Sequence, residues 1–290
     1  MTTPLFPRLL LLSLLLTGCL GGASAPPLAE KGEASRQKAA RLFRECRTGL
    51  ALSEYRKVLY LAELRDDRPA IASALLNLGV IQLVRGDWQE AEIALRLAAQ
   101  RYLQLNDHPG RQEAESHLAT VQIKQGRHHE GLQALQQLWQ QLATEPASPL
   151  RVRILNGMAI AHKSLGQLEE AQQALLQAEQ ESDASANRTD LATVRMNRAR
   201  LLLQQGALPA AQQQANSALE LDRAAEHLLG IGADLLLLGV ISERQGEKAQ
   251  AQSYWRQAAS IWEYCGLDRQ RIFAANGIAD PLPAKKTPGD

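Results

Sequence analysis

The sequence predicts an all-α protein, a solenoid of about five to six antiparallel helical hairpins finished by a C-terminal capping helix. Three periodic features predict it. Glycine stands at 86, 126, 166, 206 and 246, five times at a spacing of 40. Small residues recur in fixed phases around each: Gly79, Ala119, Ala159, Ala199 and Gly239 before it, and Ala91, Gly131, Ala171, Ala211 and Ala251 after it. Pro69, Pro109 and Pro149 share the spacing. Self-similarity at such a period marks stacked units, each too small to cover its own apolar face.

Each phase has a physical reason. Proline suits the first helical turn, where its missing N–H had no partner to lose. The periodic glycine suits the left-handed residue that ends one helix before the next begins. Small residues flanking it let two antiparallel helices approach closely, and a third phase, Ala98, Leu138, Ala178, Ala218 and Ala258, continues that seam. Leu75, Leu78, Leu83, Ile93 and Leu97 follow helical spacing and are expected between the helices. Residues 69–266 therefore read as five hairpins of 40 residues. Extending the register backward aligns Ala39, Cys46, Ala51 and Val58, so 35–68 reads as a degenerate opening hairpin with Gly49 at its turn. Forward, 267–279 suits a capping helix stopped before Pro281 and Pro283, and 280–290 reads as a disordered tail.

These residues resemble the tetratricopeptide repeat, most clearly in Asn77-Leu-Gly79 followed by Gly86-Asp-Trp-Gln-Glu-Ala91 and Ala98. Leu238-Gly239 with Gly246-Glu-Lys-Ala-Gln-Ala251 and Ala258 is the second good match, and Ala159, Gly166-Gln-Leu-Glu-Glu-Ala171 and Ala178 the third. The resemblance implies a right-handed superhelix. The family period is shorter, at about 34 residues, so the extra length must extend the helix ends. The family's first-helix Trp and Tyr are largely absent. Arg198 occupies a phase held elsewhere by Leu or Met, which makes that repeat degenerate. HEAT-type hairpins have a compatible period but do not explain the spacing of small residues about the glycine.

The N-terminus carries a different signal. Arg8 precedes Leu9–Leu16, an apolar run broken only by Ser13, and then Thr17-Gly18-Cys19. The run is too short for a spanning helix and reads as a secretory signal over 1–18. Leu16-Thr17-Gly18-Cys19 resembles the bacterial lipobox, which implies cleavage before Cys19 and lipidation of its thiol and amine. More than one acyl chain makes such an anchor long-lived. Leu20 follows, with no Asp there to imply inner-membrane retention, so the resemblance implies the periplasmic face of an outer membrane. Residues 19–34, with Gly21-Gly22 and Pro26-Pro27, read as a flexible tether. Export permits a disulfide between the remaining thiols, Cys46 and Cys265. They stand near opposite ends of the array, so they are expected beyond bridging distance, as buried small side chains.

Composition excludes several functions. The chain has 32 Lys and Arg against 31 Asp and Glu, a balance that gives no electrostatic reason for a nucleic-acid partner. His129-Glu130 lacks a second His at zinc-protease spacing, and His117, His128 and His129 have no Cys or carboxylate set at ligand spacing. Gly230-Ile-Gly232 lacks a third glycine and follows no strand. No catalytic residues, cofactor, metal or small-molecule substrate are expected.

The tetratricopeptide resemblance implies a concave groove lined by the first helix of each hairpin. Carried over by phase, it offers Ser73, Leu76, Val80 and Leu83, then Glu113, Ser116, Thr120 and Ile123, then Arg153, Asn156, Ile160 and Lys163. Thr193, Met196, Arg200 and Leu203 follow, then Ala233, Leu236, Val240 and Glu243. Arg153, Asn156, Lys163 and Arg200 make its middle basic and amide-bearing, suited to an extended peptide that carries a carboxylate. The expected protein is a membrane-anchored, non-catalytic adaptor that docks an envelope protein or peptide segment in this groove. The alternative is a structural or peptidoglycan-binding lipoprotein.

Overall fold

The computed structural model describes residues 27–185, 187–275 and 278. The signal over 1–18, Cys19 and the tail over 280–290 lie outside the described residues. Thirteen helices are present among the described residues: α1 (Leu28–Arg44), α2 (Thr48–Glu63), α3 (Arg68–Arg85), α4 (Trp88–Gln104), α5 (His108–Lys124), α6 (His128–Gln141), α7 (Pro149–Ser164), α8 (Leu168–Ser185), α9 (Arg188–Gln204), α10 (Leu208–Ala224), α11 (Leu228–Arg244), α12 (Lys248–Tyr264) and α13 (Arg269–Ala275). The first twelve pack as six consecutive hairpins, and α13 lies against α12. None of the described helices is long and apolar enough to cross a membrane.

The odd-numbered helices from α3 to α11 form the inner wall, and local chemistry sets the starts of the first four. Asp67 accepts a hydrogen bond from the Ala70 amide, Asp107 from Gly110, Ser148 from Arg151, and Asn187 from Thr189 and Asp190. Each such cap satisfies donors that the first turn leaves orphaned. Pro69, Pro109 and Pro149 sit in the first turns of α3, α5 and α7. The periodic glycines at 86, 126, 166, 206 and 246 all have positive φ, from 78° to 87°.

The small phases build the contact within each hairpin. Ala91, Ala171, Ala211 and Ala251 are buried, as are Ala98, Ala178, Ala218 and Ala258. Gly239 shows why size matters: a Cβ there would lie 2.2 Å from the Trp255 indole nitrogen. That indole donates to the Leu236 carbonyl at 3.3 Å, so glycine makes room for both the ring and its hydrogen bond. Arg198, out of pattern in its apolar phase, reaches out of the layer to Glu179 at 3.0 Å.

Four expectations are corrected. Residues 28–34, read as tether, are helical, because α1 begins at Leu28. Gly32, Ser35 and Ala39 form a buried small-residue face on it, with Gly32 against Leu61 and Arg65 of the α2 end. Gly49 does not make the first turn; it lies inside α2, and Cys46 takes the left-handed position at φ 63°. Cys46 stands 40 residues before Gly86, so it holds the phase that glycine holds in every later hairpin. Ile93 and Leu97 are not between helices but on the outer face of α4, 62% and 40% exposed, because Ala91, Leu95 and Ala98 take the inward positions.

The fourth correction concerns the whole architecture. Cys46 and Cys265 form a disulfide, with Cα atoms 4.7 Å apart across 219 residues of sequence. The array curves round until its first hairpin meets its last. Thr48 Oγ1 donates to the Cys265 carbonyl at 2.9 Å, and Arg271 of α13 pairs with Asp87 in the α3–α4 turn. Cys46 shares one buried cluster with Leu236, Trp262, Leu267 and Phe273. The separation expected for two residues near opposite ends of the array is absent because six hairpins accumulate enough rotation to bring those ends together.

Candidate binding chamber

Inner helices α3, α5, α7, α9 and α11 touch one another in sequence as well as their own hairpin partners. Closure turns their inner faces toward a common space. A chamber of about 550 Å³ opens there, between the C-terminal halves of α5, α7, α9 and α11. That volume lies in the range of ordinary ligand sites.

The wall follows the 40-residue period. Lys124, Ser164, Gln204 and Arg244 come from one phase, and Ile160, Arg200 and Val240 from another. Ile123, Lys163 and Leu203 form a third, with Leu236, Leu237, His128 and Ile278 completing the wall. Lys124, Lys163 and Arg244 sit in the last turns of their helices, where the helix dipole favours a cation. The dipole explains one cation per helix end. The curvature explains why the ends converge.

Among the described residues, Lys124, Lys163 and Arg200 have no hydrogen-bonded or ion-paired partner. Burial pushes the Lys124 ammonium down to about 8, and Arg200 and Lys163 add like-charge repulsion. Burial and then Arg200 lower Lys163, and burial lowers Arg200, with Asp234 opposing. Protein crowds the Lys124 stem, yet its side chain is exposed to the water of the chamber. Arg244 donates to the Leu203 carbonyl at 3.1 Å, which fixes its guanidinium at the rim. Behind the wall, burial and then the neighbouring Asp222 raise the Asp234 carboxyl to about 8, with Arg200 opposing the shift.

The four sequence-predicted groove residues separate into two pairs. Lys163 and Arg200 face the chamber together. Arg153 is spent on Glu113 of α5 at 2.6 Å, one period earlier. Burial would raise the Glu113 carboxyl, but His117 and Arg153 outweigh it and hold it at about 2. Asn156 is not offered to the groove at all: it is 6% exposed and accepts from the Asn197 amide at 3.1 Å, clamping α7 to α9. Ser116, assigned to the groove by phase, is fully buried in the same layer.

Lys124 and Arg244 were missed by the sequence reading. Both lie in the phase one residue beyond the last assigned groove position, where Lys124, Ser164, Gln204 and Arg244 are polar and Val84 of the first repeat is not. Polarity in four of the five repeats is the signal that could have found them. Among the described residues no cluster of three or more His, Cys, Asp or Glu could hold a metal ion.

No protein-family model matches the chain, and no curated protein matches it. Solved structures do. The apo form of RapI matches at TM-score 0.67 and 8% identity, over 84% of this chain and 87% of that one. The Rap conjugation gene regulator of plasmid pLS20, solved in complex with the Phr* peptide, matches at TM-score 0.66 and 14% identity, over 88% and 67%. The tetratricopeptide protein TTC0263 from Thermus thermophilus matches at TM-score 0.52 and 21% identity, over 71% of this chain and all of that one. At these identities the likeness is one of fold. The chain is a solenoid with the fold of tetratricopeptide-type repeat proteins.

Proposed function

We propose that this chain is a lipid-anchored, non-catalytic scaffold of the bacterial envelope that receives an acidic, extended segment of a partner protein in its basic chamber. One observation carries the reading: Lys124, Lys163 and Arg200 converge on one space of mixed polar and apolar lining, with no partner among the described residues. Keeping three cations together costs free energy that an incoming carboxylate recovers, and arginine gives that recognition direction. Ile123, Ile160, Leu236 and Val240 beside them supply apolar contact for the flanking side chains. A peptide ligand agrees with the fold's precedent, since one structural neighbour was solved with a peptide. The anchor rests on Leu16-Thr17-Gly18-Cys19, and the outer-membrane address on Leu20 after it.

Hexaglutamate labelled with a fluorophore is a suitable probe. Each charge-assisted contact contributes about 1.5–3 kcal/mol, so reversing Lys163 and Arg200 to Glu together should weaken binding by more than about 100-fold. Equal affinity in the reversed chain would remove the chamber from the function. For the anchor, Cys19→Ala should move the protein from the membrane fraction to the soluble one, and retention on membranes would refute lipidation.

A further inference from the structure

The outer wall repeats one exposed stripe in every hairpin, and two hairpins break its chemistry. On α2 the stripe runs through Leu50, Ser53, Lys57, Tyr60 and Leu64, at helical spacings of three and four. Leu50, Tyr60 and Leu64 are half exposed or more. One period after Ser53 and Lys57, α4 presents Ile93 and Leu97 to solvent. The phases of Ser53, Lys57 and Tyr60 carry Gln133, Gln137 and Gln140 on α6, and Gln173, Gln177 and Gln180 on α8. They carry Gln213, Ser217 and Glu220 on α10, and Ser253, Gln257 and Ser260 on α12. Water-facing phases are polar by default in this chain, so the apolar stripes of α2 and α4 depart from its own rule. Of the exposed large apolar side chains among the described residues, only Leu176 and Tyr264 lie beyond the first two hairpins.

Shape and charge narrow what could cover this face. The even-numbered helices lie outside the closed ring, so the wall they form is convex. A flat surface can rest on two neighbouring hairpins of such a wall and on few others at once. A convex face offers no groove for a partner's helix, whereas headgroups and acyl chains adapt to it. Arg56 and Arg101 are exposed beside the apolar side chains without an ion pair among the described residues, and Lys57 stands in the stripe itself. Glu63 and Glu90 are confined to terminal turns. Long cationic side chains lay their stems along apolar surface and lift their charge to phosphate level, and tyrosine favours the same boundary. On the lipid-anchor reading, Leu28 follows Cys19 by nine positions, a reach of about 30 Å at most. The first hairpin is then the one held nearest the bilayer.

We propose that the outer faces of α2 and α4 lie on the phospholipid surface, with Leu50, Tyr60, Leu64, Ile93 and Leu97 at the boundary of headgroups and acyl chains. The contact gives the anchored ring a fixed orientation. The proposal rests on the lipid anchor for delivery to the bilayer, and its test reads anchor and face separately.

The test uses the full chain as bacterial membranes yield it, in vesicles of phosphatidylethanolamine and phosphatidylglycerol with a trace of phospholipid bearing an acyl-chain diazirine. After photolysis, peptide mass spectrometry should find lipid adducts on α2 and α4 and none on α6 or α8. Ile93→Gln with Leu97→Gln gives α4 the residues that α6 has in the same phases, where little packing is lost. Adducts on α4 should then fall at least about fivefold. Leu176→Gln, which removes an exposed leucine from α8, should leave them unchanged. Adducts missing from α2 and α4, or spread equally over α6 and α8, overturn the proposal. A dimer in detergent that Ile93→Gln with Leu97→Gln makes monomeric also overturns it, and assigns the face to a second copy. The acyl mass on the peptide beginning at Cys19 reports the anchor: its absence refutes lipidation, while the adduct pattern still decides the face.

Discussion

The two ends of the inner wall treat charge in opposite ways. Near the N-terminal turns of α5 and α7, Glu113 and Arg153 stand 40 residues apart and neutralise each other at 2.6 Å. Near the C-terminal turns, Lys124, Lys163, Arg200 and Arg244 gather around one space and none meets a carboxylate among the described residues. The same period produces both results, because it places equivalent positions of neighbouring helices side by side. A phase that changes sign from one repeat to the next becomes a structural ion pair. A phase that keeps its sign, or alternates it with neutral amides and hydroxyls, becomes a field.

That contrast can be broken in three ways. The largest effect is at the seam, on which convergence of the cations depends. Opening the 219-residue loop with Cys46→Ser should cost about 2–5 kcal/mol. A reductant should lower the thermal midpoint of the parent chain and leave that of Cys46→Ser unchanged, and equal sensitivity in both would show that the bridge does not hold the ring.

The second test exchanges the two ends. Arg200→Met should weaken hexaglutamate binding about tenfold without loss of stability, since it removes a half-buried cation that has no close partner. Arg153→Met should do the reverse, costing about 1–3 kcal/mol by stranding Glu113 while changing affinity by less than about threefold. Paired binding and unfolding measurements that failed to cross in this way would dissolve the distinction.

The smallest effect is in pH. Lys124 loses its charge as pH rises through about 8, and Asp234, facing Asp222 and Arg200, gains one in the same range. Both changes oppose an anion, so affinity for hexaglutamate should fall about three- to tenfold between pH 7 and 9. Stability runs separately. The folded-state pKa of Lys124 lies below its unfolded value, so its contribution improves with pH above about 8. Asp234 is raised above its unfolded value, so its contribution declines as pH climbs from about 4 to 8. A pH-independent affinity would mean that neither group touches the site's field.

How much was legible can be judged from particular residues. The periodic glycines were readable because a left-handed turn residue is a local requirement that glycine meets without strain. The placement of Lys163 and Arg200 on the inner wall was readable because their phase could be carried over from a resembling family. Asn156 was misplaced because a polar residue on an inner helix can face water or a neighbour. Only the presence of Asn197 across the α7–α9 contact decides which. Ile93 and Leu97 misled because apolar side chains at helical spacing do not say which side of the helix carries the smaller, closer-packing set.

The sequence by itself determined the hairpin unit, its period and the glycine turns of the five later hairpins, because caps, prolines, left-handed glycines and small-residue phases act within a few residues of where they stand. The tertiary structure decided that the array closes, that Cys46 meets Cys265, and that cations from four helix ends share one chamber. Those outcomes depend on a small rotation at each hairpin contact summed over six units. No residue encodes that sum, and no single repeat displays it.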